Sequence, residues 1–324
     1  MKRISFAQAL NEALHEEMGR DPSVFVVGED VGLLGGLFQV TQGLLENFGP
    51  KRVIDTPISE AAIAGAGVGA ALVGARPVIE FQFSDFMTIA MDQIVNHAAK
   101  LRYMTGGQAK VPMVIRAPVC SGISMGAQHS QNLEAWFVHV PGLIVVMPST
   151  PYAAKGLLKA AIRDDNPVVF LEPRLLYAST GEVPEEDYVL PIGKATVRRE
   201  GSDVTIVATG RMVGMALSAA ERLSQEGLQA EVIDPQTLKP LDTETILRSV
   251  QKTSRLVIVN EGCRTCGYAS EIAATMADLA IYHLDAPIRR VTAQDVPMPV
   301  SRALEAELLP NVEAILAAVK SIAK

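Results

Sequence analysis

Cysteine is scarce in this chain. Three cysteines in 324 residues, an odd and small number, build no disulfide framework and fit a reducing cytoplasm, which is the expected setting. No uncharged apolar run reaches the roughly 20 residues that cross a bilayer. The longest, Ala61 to Ala75, is interrupted by Gly65, Gly67, Gly69 and Gly74 and reads as a buried helix. Positive charge is in deficit as well: 29 Lys and Arg against 36 Asp and Glu leave a net charge of −7, which argues against nucleic acid or an anionic membrane as the main partner. Low-complexity tracts are absent, and 48% hydrophobic with 20% charged residues describes a chain that folds throughout. From Met1 to Phe6 the sequence reaches Gln8 and Asn11 before the apolar core of a signal peptide could form, so no export is expected.

What is present is alternation. Phe6, Leu10, Ala13, Leu14 and Met18 share one helical face, with Ser5 and Gln8 at capping-box spacing. Val24–Val27, Val53–Ile54, Pro77–Phe81, Met113–Arg116, Leu143–Val146 and Val168–Leu171 read as buried strands. Helices are expected between them, including a long one through Met91, Ile94, Val95, Ala98 and Leu101 and another over Ala153–Ile162. Strand followed by helix, repeated, predicts a parallel sheet covered on both faces. Between Ala178 and Gly193 the composition turns to Gly, Pro and acid, which reads as a linker. A second alternation follows from Val204 to Ile322. The expected fold is therefore α/β with two doubly wound domains, residues 1–180 and a smaller 194–324, joined by 181–193.

Several residues stand where chemistry is usually placed. Arg52-Val53-Ile54 ends in Asp55-Thr56-Pro57, Ser59 reads as a helix cap, and Glu60 falls in the first helical turn. An acid there either complements the helix dipole, worth about 0.3–1 kcal/mol, or belongs to a functional site. Glu29 follows the strand Val24–Val27, and Gln82 and Phe86 follow the strand ending at Phe81. Ligands gather at such carboxyl ends in open α/β sheets. His129 lies in the Gly- and Ser-rich loop Ala117–Gln131, where an imidazole could shuttle protons or serve structure alone. Asp164, Asp165 and Asn166 form a turn, or could wrap a cation with backbone oxygens.

Other patterns are weaker. Gly65-Ala66-Gly67-Val68-Gly69-Ala70 fits the letters of a dinucleotide fingerprint, but its glycines lie inside a helical run, so close helix packing through Gly65 and Gly69 is the better reading. Cys263-Arg264-Thr265-Cys266 lies between a strand and a helix, the placement of a redox motif, with two unreactive thiols as the alternative. His15, His97, Cys120 and His283 stand apart, so no structural metal site is expected.

Taken together, Gly28-Glu29-Asp30-Val31, Asp55-Thr56-Pro57-Ile58-Ser59-Glu60, Gln128-His129-Ser130-Gln131 and Asn166-Pro167-Val168-Val169-Phe170-Leu171-Glu172 resemble one family. It is the beta subunit of the thiamine-diphosphate-dependent decarboxylating component of 2-oxo acid dehydrogenase complexes. The resemblance continues through Met147–Tyr152 and Pro240-Leu241-Asp242. It implies a larger pyrimidine-binding, transketolase-like domain followed by a transketolase C-terminal-like domain. It also implies that Glu60 hydrogen-bonds a ring nitrogen of the cofactor's aminopyrimidine and so activates it for attack on the keto carbon. Glu29, Ile58, Ser59, Gln82 and Phe86 match positions that line the pyrimidine, and His129 matches a proton-transfer histidine. Met113, Ala161, Ile162, Asp164 and Asn166 match positions that hold a potassium ion.

One absence then becomes informative. Thiamine enzymes hold magnesium and the cofactor's diphosphate with a Gly-Asp-Gly segment, and this chain contains no Gly-Asp dipeptide. The resemblance therefore implies an alpha subunit that carries magnesium and diphosphate, in an assembly of two alpha and two beta subunits. A lipoyl-bearing transacylase is the implied acyl acceptor. Trp136-Phe137 and Val296-Pro297-Met298-Pro299 resemble the pyruvate and acetoin branches, which makes pyruvate the first-choice substrate. Acetoin and branched-chain 2-oxo acids are the alternatives, since a methylene or two in an apolar pocket is worth only about 1–3 kcal/mol. From other classes, a nicotinamide-binding oxidoreductase or a non-catalytic scaffold subunit stays open.

Overall fold

The computed structural model describes residues 1–323. Its contacts divide the chain into two compact units, Met1–Cys120 with Trp136–Ile192, and Ser121–Ala135 with the chain from Gly193 on.

In the first unit, strand β1 (Lys2–Ser5) leads into helix α1 (Phe6–Arg20), and the expected capping box is formed. The Gln8 amide donates to Ser5 Oγ at 3.1 Å and the Ser5 amide to Gln8 Oε1 at 2.8 Å, satisfying two amides that the helix start would otherwise strand. There follow β2 (Val24–Gly28), α2 (Leu44–Phe48), β3 (Val53–Asp55), α3 (Glu60–Leu72), β4 (Arg76–Glu80), α4 (Ala99–Met104), β5 (Val114–Val119), α5 (Glu134–His139, whose first two residues cluster with the second unit), β6 (Ile144–Val146), α6 (Pro151–Arg163), β7 (Val168–Pro173) and β8 (Thr180–Val183). The strands of the central sheet that belong to this unit lie in the order β6-β7-β5-β4-β2-β3, each paired parallel to its neighbour. Phe6, Leu10, Leu14 and Met18 of α1 close the core against Leu157, Leu158 and Ile162 of α6. Buried Lys155 and Lys159 bridge these helices by pairing with Glu16 at 2.6 and 2.5 Å.

The second unit holds β9 (Thr196–Arg199), β10 (Val204–Ala208), α7 (Met212–Gln225), β11 (Ala230–Asp234), β12 (Thr237–Lys239), α8 (Thr243–Thr253), β13 (Leu256–Cys263), α9 (Tyr268–Ala280), β14 (Arg289–Ala293), α10 (Arg302–Leu308) and α11 (Val312–Lys320). Its sheet runs β14-β13-β10-β11-β9, parallel except for β9, which lies antiparallel on β11. An α/β architecture with mainly parallel sheets is thus what the alternation predicts.

Three local expectations are corrected. The long helix through Met91 and Leu101 is a 3-10 segment (Ser84–Ala90), a π segment (Asp92–Ala98) and then α4, because an apolar period fixes a buried face without fixing the hydrogen-bond step. The segment 181–193 is not all linker: β8 pairs antiparallel with β1, Ser5 opposite Thr180 and Lys2 opposite Val183. Ser59 occupies the N-cap position of α3 but makes no side-chain capping bond, so it is free of the role its residue type suggested.

Candidate active site

The pairing register delivers three loops to one edge. Gly28 stands opposite both Asp55 and Glu80, so the residues after β2, β3 and β4 leave the sheet at the same level. Glu29 follows β2, Thr56–Ser59 follow β3, and Phe81 and Gln82 follow β4. Hydrogen bonds lock these loops to one another. Asp55 Oδ1 accepts the Gly32 amide at 2.6 Å, the Thr56 amide donates to Gly28 O at 2.9 Å, and Gln82 Nε2 donates to Asp30 Oδ2 at 3.2 Å. Gly28 has no room for a side chain, since a Cβ there would lie 2.6 Å from Glu80 O.

Two carboxyl groups meet at this edge. Glu60, the first residue of α3, is 6% exposed, and Glu29 is 8% exposed. Burial raises the pKa of the Glu29 carboxyl, and the charges of Glu60 and then Asp30 raise it further. Among the described residues neither Glu29 nor Glu60 forms an ion pair, so their mutual repulsion goes uncompensated within the unit. Around them Ser59 is exposed, Ile58 is 80% exposed, and Gln82 and Phe86 are half-buried, the Phe86 ring standing 5.4 Å edge-on from that of Phe83. Exposed Ile58 beside two nearly buried acids makes this edge a candidate ligand surface.

Below this edge lies a charged cluster that sequence reasoning did not single out. Arg116 of β5 is fully buried and donates to Glu80 Oε2 at 2.5 Å and to Glu172 at 2.7 and 3.0 Å, while the Tyr177 hydroxyl also donates to Glu172. Burial, then the charge of Glu172, raises the Glu80 pKa against the opposing pull of Arg116. Charges inside strands otherwise apolar, Glu80 in β4 and Arg116 in β5, were the available signal.

His129 lies in the other unit, half-buried, with its amide 3.3 Å from Gly126 O. The expected site residues thus fall in two places: Glu29, Ile58, Ser59, Glu60, Gln82 and Phe86 at the β3-β2-β4 edge, and His129 in the loop of the second unit.

Comparison with known proteins divides the chain between residues 180 and 193, which leaves His129 inside the first match although its loop clusters with the second unit. Residues 2–180 match the model for the transketolase pyrimidine binding domain, and residues 193–315 that for the transketolase C-terminal domain. The chain is 48% identical to the 2-oxoisovalerate dehydrogenase subunit beta of Bacillus subtilis (strain 168), with 100% of each chain covered. It is 50% identical to the mitochondrial pyruvate dehydrogenase E1 component subunit beta-1 of Arabidopsis thaliana, covering 98% of this chain and 89% of that protein. The chain belongs to the family of transketolase-like E1 beta subunits of 2-oxo acid dehydrogenases. A solved split-gene transketolase, an inactive beta4 tetramer, matches 98% of each chain with a TM-score of 0.80 at 26% identity. Proteins of this E1 beta family serve oxidoreductases that decarboxylate 2-oxo acids with thiamine diphosphate.

In this E1 beta chain the residues expected to hold potassium lie at the end of α6 (Ala161, Ile162), in the turn after it (Asp164, Asn166) and just before β5 (Met113). Met113 precedes β5 and its carbonyl accepts the Val168 amide at 2.9 Å, while Ala161 O accepts the Asp164 amide at 3.3 Å. Arg76 donates to the carbonyls of Ile162 and Asp164 at 3.0 and 2.9 Å. Asp164 Oδ1 accepts both the amide and the side-chain nitrogen of Asn166 at 2.8 Å. Each carbonyl retains a second lone pair. Among the described residues, no group of three or more His, Cys, Asp and Glu could hold a metal ion.

The remaining motifs lose their functional readings. Gly65–Ala70 lies wholly inside α3, so its glycines form no phosphate-binding turn. The close-packed glycine of that helix is Gly67, where a Cβ would meet Ile79 Cγ2 at 2.9 Å and Met113 Cε at 3.1 Å; at Gly65 the contact is ordinary and at Gly69 the space is open. Cys263 and Cys266 are both exposed, and burial with the charges of Asp295 and Glu134 raises the Cys263 pKa, the reverse of what a redox motif requires. No helix among the described residues is long and apolar enough to cross a membrane.

Proposed function

We propose that the chain is the beta subunit of a pyruvate dehydrogenase and that its β3-β2-β4 edge receives the pyrimidine of thiamine diphosphate. The observation that carries this is the uncompensated pair Glu29 and Glu60, set among exposed Ile58 and Ser59, the Gln82 amide and the Phe86 ring. These groups fit a flat heterocycle bearing ring nitrogens and an amino group: acids to meet the nitrogens, an amide to meet the amine, apolar surface for the ring faces. When bound, thiamine diphosphate supplies the nucleophilic carbon and the electron sink for decarboxylation.

The chain's own residues then divide the work. Glu60 hydrogen-bonds a ring nitrogen from the start of α3. Glu29 keeps its proton to higher pH than an ordinary carboxylic acid, which lets it stand beside Glu60 with reduced repulsion. Ile58 and Ser59 wall the ring, Gln82 and Phe86 orient it, and His129 moves a proton at a substrate oxygen. Magnesium and the diphosphate belong to an alpha subunit in an assembly of two alpha and two beta chains. The open face of α3 at Gly69, with exposed Leu72 and Val73 beyond it, is surface suited to a subunit contact. The acyl group passes to a lipoyl-bearing transacylase. Potassium is assigned to Met113, Ala161, Ile162, Asp164 and Asn166, the domains to 1–180 and 194–324, and the setting to the cytoplasm.

Relatives named for pyruvate and for 2-oxoisovalerate are nearly equally similar, so the substrate is decided by assay. The chain would be co-expressed with its alpha subunit and tested for decarboxylation of pyruvate, acetoin and 3-methyl-2-oxobutanoate with a dye acceptor. The proposal expects the highest kcat/KM with pyruvate and a loss of about 10²- to 10⁴-fold in kcat for Glu60→Gln. A higher kcat/KM with 3-methyl-2-oxobutanoate would move the enzyme to the branched-chain group. Full activity of Glu60→Gln with cofactor bound would remove the role given to Glu60.

A further inference from the structure

The loop that carries His129 is fastened at both ends. At its start Glu305 of α10, 2% exposed, accepts three hydrogen bonds: from the Gly122 amide at 2.8 Å, the Ser124 amide at 2.8 Å and Ser124 Oγ at 3.0 Å. Gly122 and Ser124 both have positive φ, +86° and +60°. Left-handed residues at this spacing turn nearby amides toward one point, which forms a nest for an anion. Here the anion is the chain's own carboxylate. Ser124 is held in a conformation that non-glycine residues seldom adopt, and such strain persists only where the surroundings enforce it.

The far end of the loop is tied independently. Asn132 Nδ2 donates to Glu261 O at 3.0 Å, and Asn260 Nδ2 donates to Glu134 Oε1 at 2.9 Å. Between the two ties the loop lies over a cavity of about 330 Å³, lined by Ala127, Ser130 and Leu133 on one side and Val296 and Met298 on the other. Ser130 Oγ is buried there without a hydrogen-bond partner. The ties at Glu305 and at Asn132 thus bracket the stretch that carries His129 and fix where it enters and leaves the wall of this cavity.

We infer that Glu305 is a positioning residue for His129: its carboxylate, by gathering the amides of Gly122 and Ser124, sets the loop geometry from which the imidazole acts. This rests on the proton-transfer role proposed above for His129. A small displacement of a reacting group is costly, on the order of 10- to 100-fold in rate, whereas binding elsewhere in the site need not change. The loss is therefore expected in kcat and not in KM.

The test uses the assembled alpha–beta enzyme, with Glu305→Gln, His129→Ala and the double variant beside wild type. Glu305→Gln keeps the size of the side chain but replaces one acceptor oxygen with a donor, so it cannot hold all three bonds. It is expected to lower kcat about 10-fold or more, leave KM and thiamine diphosphate affinity unchanged, and add no further loss when His129 is already Ala. Hydrogen exchange should quicken at Gly122 and Ser124 and not across β10, β11 and β13. Should Glu305→Gln fail to assemble, Ser124→Gly removes only the hydroxyl bond at a backbone conformation glycine accepts, and a smaller loss in kcat is expected. Wild-type kcat for whichever of these variants assembles, losses that multiply in the double variant, or a fall in cofactor affinity matching the fall in rate would each overturn the inference. Full activity of His129→Ala would instead remove the reading of His129 itself, and is recognised from that single variant.

Discussion

Glu60 and Glu29 show how far a single residue can be read. Sequence position places each at the carboxyl end of a strand, and the structure leaves them nearly buried, with the Glu29 pKa raised first by burial and then by Glu60. Their proximity could not be read, because 31 positions of chain separate them and only the pairing of β2 with β3 brings them level. The Arg116 cluster is hidden in the same way: its partners come from β4 and β7, far apart in sequence. Removing a partner from a buried ion cluster leaves charge uncompensated, so Arg116→Leu should cost about 3–5 kcal/mol in urea unfolding. A change below about 1 kcal/mol would show the cluster to be energetically neutral. Glu134 gives a pH-dependent expectation. Its pKa is raised chiefly by burial, with Glu261 adding, while Asn260 opposes. At a pH below the ordinary carboxyl value the group is protonated both folded and unfolded, and this residue costs nothing. As pH rises through the elevated folded value its contribution is lost. Glu134→Gln should therefore raise Tm at pH 8 and leave it unchanged near pH 4; equal Tm values for both proteins at pH 8 would refute this.

Elements were read more reliably than contacts. Apolar period, with cap chemistry at α1, locates α1 and α6 and most of the parallel strands, because each depends on neighbours close in sequence. β1 and β8 escaped, since a strand made by pairing residues 2–5 with 180–183 carries no local signal. The stretch from Ser84 to Met104 kept its buried face but not its expected helix type. α3 is the instructive helix. Its glycines announce close packing, yet only the structure separates Gly67, pressed on Ile79 and Met113, from Gly69, which faces open space. Gly67→Ala should cost about 1–3 kcal/mol through overpacking even with helix propensity in its favour. Gly69→Ala should leave the isolated chain as stable or slightly more so and weaken assembly with the alpha subunit. Thermal melts of the single chain, set beside sedimentation of the co-expressed pair, check both; equal losses at the two glycines in the single chain would show that packing does not distinguish them.

At the scale of the whole molecule, two linked α/β units were legible in the alternation of strand and helix, and the family in four short motifs. What the chain lacks completes the picture. It has an edge that presents two uncompensated carboxyls, a glutamine and an aromatic ring, and no Gly-Asp dipeptide with which to hold a magnesium diphosphate. The division of the active site proposed above would place cofactor affinity in the assembly and not in either chain. The most direct measurement is thiamine diphosphate binding, by calorimetry in the presence of magnesium, to the isolated beta chain, to the alpha–beta assembly, and to the assembly carrying Glu60→Gln. The account predicts no measurable binding by the beta chain alone, saturable binding by the assembly, and altered binding or lost turnover when Glu60 is replaced. Tight binding by the isolated beta chain, or an assembly indifferent to Glu60 in both affinity and turnover, would contradict it.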